Sequence, residues 1–292
     1  MGGIQARMEA ALARLLPPAG VVPERLHAAM RYATLEGGKR VRPLLAFAAS
    51  EVAQAEPARV EIAAAAVEMI HAYSLAHDDL PCMDDDVLRR GKPTLHVEYD
   101  EATALLAGDA LQALAFELLG AHRLADDPAV QLEMVQLLAS ACGSRGMAGG
   151  QAIDLAATGK ALNPAELEFM HIHKTGALIR AAVRIGAGCG RPLAPPARER
   201  LDHYAKCVGL AFQVVDDLLD ADASTATLGK TAGKDAAQGK ATYVSVLGAA
   251  RARAFAEELR EEARKALVAH PDLAARSNRL AALADFIVLR KF

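Results

Sequence analysis

An all-α fold is what this chain predicts, and three observations carry the prediction. Ala, Leu, Glu and Arg, all good helix formers, dominate the composition. Apolar residues recur at helical spacing almost throughout, while the alternation of a half-buried strand is scarce. Several runs, such as Ile62 to Leu80 and Leu210 to Leu219, are apolar on nearly every face and so belong to central helices with others packed round them.

A length of 292 residues, with 52% hydrophobic and 24% charged content, allows a large core, and no Pro/Ser/Gly-rich linker divides the single expected domain, 1–292. The net charge of −3 conceals segregation: basic residues gather at 39–42, 89–92 and 230–240, and acids at 78–86 and 216–222. Such local pairing of opposite charge excludes a nucleic-acid surface. Cys82, Cys142, Cys189 and Cys207 lack CxxC spacing and read as small core residues in a reducing cytoplasm. The start carries neither a signal peptide nor a myristoylation signal. Apolar segments at 62–67 and 176–190 are interrupted by Glu61, Glu68, Arg180 and Arg184, short of the roughly 20 residues a membrane span needs. The expectation is a soluble cytoplasmic protein with no membrane span.

Helices are expected near 4–16, 23–35, 43–54, 57–80, 99–120, 128–148, 164–188, 195–222, 241–268 and 276–290. Between the second and third, Gly37 and Gly38 free the backbone, and Pro43 as a first helical residue leaves Lys39 and Arg42 at the positive end of a helix, an anion site. Solvated basic residues in a Gly-rich loop are the bland alternative.

The fourth helix carries Glu68 and His71 as a Glu-x-x-His pair, a spacing repeated by Glu24 with His27 and Glu168 with His171. Inward-facing pairs of this kind build di-iron sites, so a ferritin-like protein competes. It leaves the neighbouring Asp-Asp clusters and cations unexplained, and the other two pairs read as surface or packing residues.

At the end of that helix, Asp78, Asp79, Asp84, Asp85 and Asp86 place five carboxylates within nine residues, followed by Arg89 and Arg90. Like charge this dense calls for cations, and oxygen-only ligands suit Mg²⁺ bridging one or two carboxylates to substrate phosphates. A continued helix would turn Asp84 more than about 100° away from Asp78 and Asp79, so Pro81 must break it and bring Asp84 back. The bland reading is a solvated acidic helix end.

Further on, Gln151 and Asp154 share a face after Gly149 and Gly150, with helix capping as the alternative. His173-Lys174-Thr175-Gly176 inserts a cation, a hydroxyl and a glycine into an apolar helix, where Gly176 lets the helix deform and expose a carbonyl. Asp216, Asp217 and Asp220 fall within a sector of roughly 100° and form a second carboxylate face, with Gln213 one turn earlier. Glycine-spaced Lys230, Lys234 and Lys240 then suggest a basic flap for phosphates.

The segments GGKRVRP, YSLAHDDLPCMDDDVLRRGKPT, GDALQ, GGQAIDL, HKTGALIRAAVRIGA, GLAFQVVDDLLD and GK…GKATY, spread over residues 36–243, resemble the short-chain trans-isoprenyl diphosphate synthases. The long DDxxxxD form of the first motif is similar to the bacterial farnesyl type and to the bacterial and plant geranylgeranyl type. The resemblance implies the isoprenoid synthase fold, a large bundle of about ten or more helices around a central apolar cavity, usually as a homodimer. By the same resemblance, Asp78, Asp84 and Asp216 coordinate Mg²⁺, three ions with substrate bound. Arg89, Lys174, Lys230 and Lys240 hold the allylic diphosphate (dimethylallyl or geranyl), and Lys39, Arg42, His71 and Arg90 hold isopentenyl diphosphate. Lys174, Thr175 and Gln213 face the cation formed when the allylic C–O bond breaks. Tyr73, five residues before Asp78, resembles the farnesyl type as the floor of the chain-elongation pocket, with an ordinary buried tyrosine as the bland alternative. The implied product is farnesyl diphosphate, with geranylgeranyl diphosphate as the runner-up; a class I terpene cyclase fits less well because it needs no second diphosphate site.

Overall fold

The computed structural model describes residues 1–35, 37–222 and 240–290, so the expectations for Lys230 and Lys234 lie outside the described residues. The helices are α1 (Gly2–Leu15), α2 (Glu24–Thr34), α3 (Val41–Val52), α4 (Pro57–Asp78), α5 (Leu95–Glu98), α6 (Glu101–Ala121), α7 (Pro128–Cys142), α8 (Met147–Ala157), α9 (Pro164–His171), α10 (Ala177–Gly188), α11 (Pro195–Asp222), α12 (Tyr243–Leu247), α13 (Ala249–Val268), α14 (Pro271–Ala274) and α15 (Asn278–Leu289). A π-helical turn, Ile172–Gly176, joins α9 to α10. The all-α expectation holds, and the one sheet among the described residues is a two-residue hairpin, β1 (Leu88–Arg89) with β2 (Lys92–Pro93).

Local chemistry explains most boundaries. Pro57 opens α4 and Pro128 opens α7, where a missing N–H costs nothing. Asp100 caps α6 by accepting from Thr103 N, and Asn163 with Glu166 forms a capping box on α9. Helix α4 is buried on all sides, from Val60 through Ala76, and packs against α3, α6 and α10 as a central helix.

Four sequence expectations need correction. The helix predicted over 128–148 stops at Cys142 and restarts as α8, because Gly143 and Gly146 make a turn in which a Cβ on Gly146 would lie 2.2 Å from the Ala141 carbonyl. The helix predicted over 241–268 divides at Gly248, whose φ of 79° favours glycine. Pro43 stands third in α3, behind Val41 and Arg42, with Arg40 in left-handed conformation at the cap. Finally, Cys82 is exposed, unlike the other three cysteines.

Helix α6 is also long and apolar enough, by length and composition, to cross a membrane, which the sequence reading had not found. Its apolarity has two destinations: one face packs on α4, and the other leaves Leu105 and Leu106 exposed.

Candidate active site

Helix α4 ends at Asp78, and the Asp84 N–H donates to the Asp78 carbonyl at 2.8 Å. The chain therefore unwinds around Pro81 and returns, as the proline predicts. Asp79 goes elsewhere: it is buried and takes three hydrogen bonds of 2.6–3.0 Å from the Arg89 guanidinium. This fork ties the hairpin to the end of α4 and commits part of Arg89's donor capacity to Asp79. In the hairpin turn Arg90 and Gly91 both have positive φ, 55° and 76°, as a tight two-residue loop requires.

Burial pushes the Asp78 carboxyl up to about 6, with Asp84 and Asp79 adding to the rise while Lys174 and Arg89 oppose it. Asp84 Oδ1 accepts from Lys240 Nζ at 2.8 Å, so the residue predicted to close over phosphates already stands on the first aspartate cluster.

The second cluster does not present one carboxylate face. Asp216 is partly exposed and accepts from Arg290 Nη2 at 2.5 Å, whereas Asp217 is buried and turns to Gln213 Nε2 (2.8 Å) and the Tyr243 N–H (2.7 Å). Asp220 is buried as well. Helical geometry put the three on one side but could not say that the side was already lined with partners.

The π turn realises the deformation expected at Gly176. Its approach to α8 depends on Gly150, where a Cβ would lie 2.1 Å from the Lys174 backbone nitrogen. A similar contact holds it to α11, since a Cβ on Gly209 would lie 3.1 Å from the Gly176 Cα. Lys174 Nζ reaches Asp154 Oδ2 at 2.6 Å, and Thr175 Oγ1 donates to Gln213 Oε1 at 2.9 Å. Gln151 and Asp154 lie inside α8, not at its cap, so the capping alternative fails. The Gln151 amide is buried without a hydrogen-bond partner among the described residues.

Lys39, Arg42, His71 and Arg90 form the third part. Gly37 and Gly38 pack against the Arg90 side chain, where a Cβ on Gly38 would lie 2.7 Å from Nη2, and Gly38 has a φ of 88° that favours glycine. Arg42 is 8% exposed, and its Nε has no partner among the described residues. Burial lowers the pKa of Lys39, Arg42 and Arg90, and neighbouring guanidinium groups lower each further. Burial, then Arg42, Arg90, Arg89 and Arg40, holds His71 well below its usual value, leaving a neutral imidazole at pH 7. Crowded, desolvated cations with an orphaned donor are arranged for an anion. Arg40 is not part of this set: its guanidinium is buried against Glu68 (2.7 Å) and Glu9 (2.5 Å), and the engaged Glu68 removes the di-iron reading of its Glu-x-x-His pair.

Sequence reasoning missed Arg290. Its side chain is 1% exposed, its Cζ lies 4.2 Å from the Phe212 ring centroid and it reaches the second aspartate cluster from the end of α15. A lone arginine after an apolar helix carries no local signal of such a role. Asp154 was visible as the residue sharing a face with Gln151, but its partner Lys174 was not.

Among the described residues no three His, Cys, Asp or Glu side chains converge closely enough to hold a metal by themselves. Asp78 and Asp84, joined through their backbone, and Asp216 on α11 are instead separate oxygen donors of the kind that suit an ion shared with a phosphate ligand.

The polyprenyl synthetase family model matches residues 23–274. The farnesyl diphosphate synthase of Escherichia coli is 49% identical over 284 residues, covering 96% of this chain and 94% of that protein. A chloroplastic geranylgeranyl pyrophosphate synthase of Arabidopsis thaliana is also 49% identical, over 274 residues, covering 92% and 75%. The structure of a geranyltransferase from Helicobacter pylori, complexed with magnesium and isoprenyl diphosphate, superposes with a TM-score of 0.87 at 34% identity, covering 98% of this chain and 95% of that one.

Proposed function

Because the chain belongs to the polyprenyl synthetase family, we propose that it is a prenyltransferase that condenses isopentenyl diphosphate with dimethylallyl and then geranyl diphosphate to give farnesyl diphosphate. The observation that carries this reading is the pairing of two aspartate clusters with a separate cationic pocket. A single-diphosphate enzyme has no use for the second.

Magnesium suits the donor set. Asp78, Asp84 and Asp216 offer only oxygens, and the raised Asp78 carboxyl marks a site where a cation relieves a desolvated charge. When bound, magnesium neutralises charge growing on the leaving diphosphate. Lys240 on Asp84 and Lys174, whose charge is felt at Asp78, bind that diphosphate, and Arg89 presents it with whatever donors Asp79 leaves over. Lys39, Arg42, Arg90 and the neutral His71 hold isopentenyl diphosphate. Thr175 and Gln213, with the Lys174 carbonyl, orient negative dipole toward the allylic carbon, and the apolar walls keep water from the cation.

The test is incubation with dimethylallyl and isopentenyl diphosphates plus Mg²⁺, followed by chromatography of the dephosphorylated products. A C15 alcohol is expected; a C20 alcohol as the main product would exchange the reading for the geranylgeranyl one. Truncating Arg42 to alanine should raise the KM for isopentenyl diphosphate about tenfold or more, the scale of one charge-assisted hydrogen bond, with kcat nearly unchanged. An effect confined to the allylic substrate would exchange the two diphosphate assignments.

Leu105 and Leu106, with exposed Ala102, Ala113 and Gly120 on the same helix, support a homodimer formed across α6. Sedimentation velocity should then report twice the 30.7 kDa chain mass, and a monomer at micromolar concentration would refute it. Four free cysteines support a reducing, cytoplasmic setting.

A further inference from the structure

Asp217 adjoins Asp216 in sequence but makes different contacts. It is 4% exposed, with Oδ1 accepting from Gln213 Nε2 at 2.8 Å and Oδ2 accepting from the Tyr243 N–H at 2.7 Å. Gln213 Oε1 in turn accepts from Thr175 Oγ1 at 2.9 Å. The direction of this chain is dictated by chemistry. A carboxylate can only accept, so the amide of Gln213 must turn its nitrogen to Asp217 and its oxygen to Thr175. Thr175 has a single proton, and it is spent on that oxygen. What the hydroxyl leaves for any other neighbour is lone pairs.

Thr175 lies on the π turn beside Lys174, whose charge is felt at Asp78 and whose Nζ stands on Asp154. On the prenyl-transfer reading, positive charge develops here as the allylic C–O bond breaks. We propose that Asp217 is a positioning residue: acting through Gln213, it fixes the polarity of the Thr175 hydroxyl so that the negative end of its dipole faces the allylic cation. The inference rests on the function proposed above and assigns Asp217 no metal.

Replacing Asp217 by asparagine changes this polarity with almost no change of shape. The Asn oxygen keeps the Tyr243 N–H, its NH₂ group faces Gln213, the Gln213 amide turns over to accept, and Thr175 must then accept from Gln213 and point its own proton outward. Asp217→Asn should lower kcat by roughly tenfold to a hundredfold, the scale of a misdirected electrostatic stabiliser, with both diphosphate KM values and the Mg²⁺ activation midpoint nearly unmoved. The decisive measurement is a double-mutant cycle with Thr175→Val, which removes the hydroxyl on which Asp217 acts. In that background Asp217→Asn should cost less than about threefold.

An Mg²⁺ midpoint displaced about fivefold or more would make Asp217 a metal ligand and overturn the proposal, as would an undiminished loss in the Thr175→Val background. If circular dichroism shows that Asp217→Asn does not fold, Gln213→Leu breaks the same chain. The part of its kcat loss that acts through Thr175 should be absorbed by Thr175→Val, leaving only its own dipole, and full additivity would overturn the proposal. A wild-type protein that makes no prenyl diphosphate refutes the function itself, whereas an active wild type with an additive cycle refutes only this inference.

Discussion

Asp78→Ala and Asp216→Ala should each reduce turnover by at least about a hundredfold, because either change removes an oxygen donor and leaves leaving-group charge uncompensated. The two sites sit on different helices, α4 and α11, so a comparable loss in both would indicate one reaction centre shared between them. Steady-state assay of folded variants checks this, and near-normal turnover in either would withdraw that residue from the metal assignment. Asp78 also supplies a pH signature. In the metal-free protein its carboxyl titrates near about 6, raised from 3.8, so the folded state holds the proton more firmly than the unfolded chain. The metal-free fold accordingly loses stability from this group as pH rises from 3.8 to about 6. Magnesium competes with the same proton, so the Mg²⁺ concentration needed for half activation should rise as pH falls through about 6 and level off above it. A flat midpoint between pH 5 and 8 would mean that Asp78 is not the titrating ligand.

Tyr73→Ala should lengthen the product from fifteen carbons to twenty or more. Tyr73 is buried on α4, about 7.5 Å below Asp78 along the axis at 1.5 Å per residue. Gln112 of α6 lies beside its hydroxyl, and its ring meets His77 edge-on at 5.6 Å. Burial is the main reason the phenol is pushed up to about 12, so it is a neutral, fixed wedge between α4 and α6. The helices close on one another there because of Gly108, where a Cβ would lie 2.1 Å from His77 Nε2. On the proposed function, removing the ring opens space below Asp78 for a longer prenyl tail, at a cost of about 3–5 kcal/mol for deleting a buried aromatic. Tyr73→Phe is the control: it keeps the ring, loses only the hydroxyl and should still stop at fifteen carbons. A folded, active alanine variant with unchanged product would return Tyr73 to ordinary packing.

What could be read from the sequence was what neighbouring residues determine together. The Asp78 to Asp84 return follows from Pro81, and a deformation of the helix over 164–188 from Gly176 among apolar residues, though not its π form. Where structure departed from expectation, the deciding partner lay far along the chain. Asp217 was committed by the Tyr243 amide, and Asp216 met Arg290. Helical periodicity also ran across the breaks at Gly143 and Gly248, since a turn of a few residues barely disturbs an Ala- and Leu-rich pattern.

The π turn has one more effect, on register. Hydrogen bonding to the fifth residue instead of the fourth accommodates one additional residue, which resets the angular phase of everything after it by about 100°. Before the turn, Leu167 and Met170 point into the cluster they share with Val214 and Tyr243; after it, Leu178, Ala182 and Ile185 point into the cluster around α4. Ile179, Val183 and Ala187 point into a third, around α3 and α11, so one continuous run of sequence serves three cores. Deleting a single residue from 172–176 would leave the composition and periodicity of the run almost untouched, yet would rotate one half against the other and send its apolar stripe to the wrong neighbour.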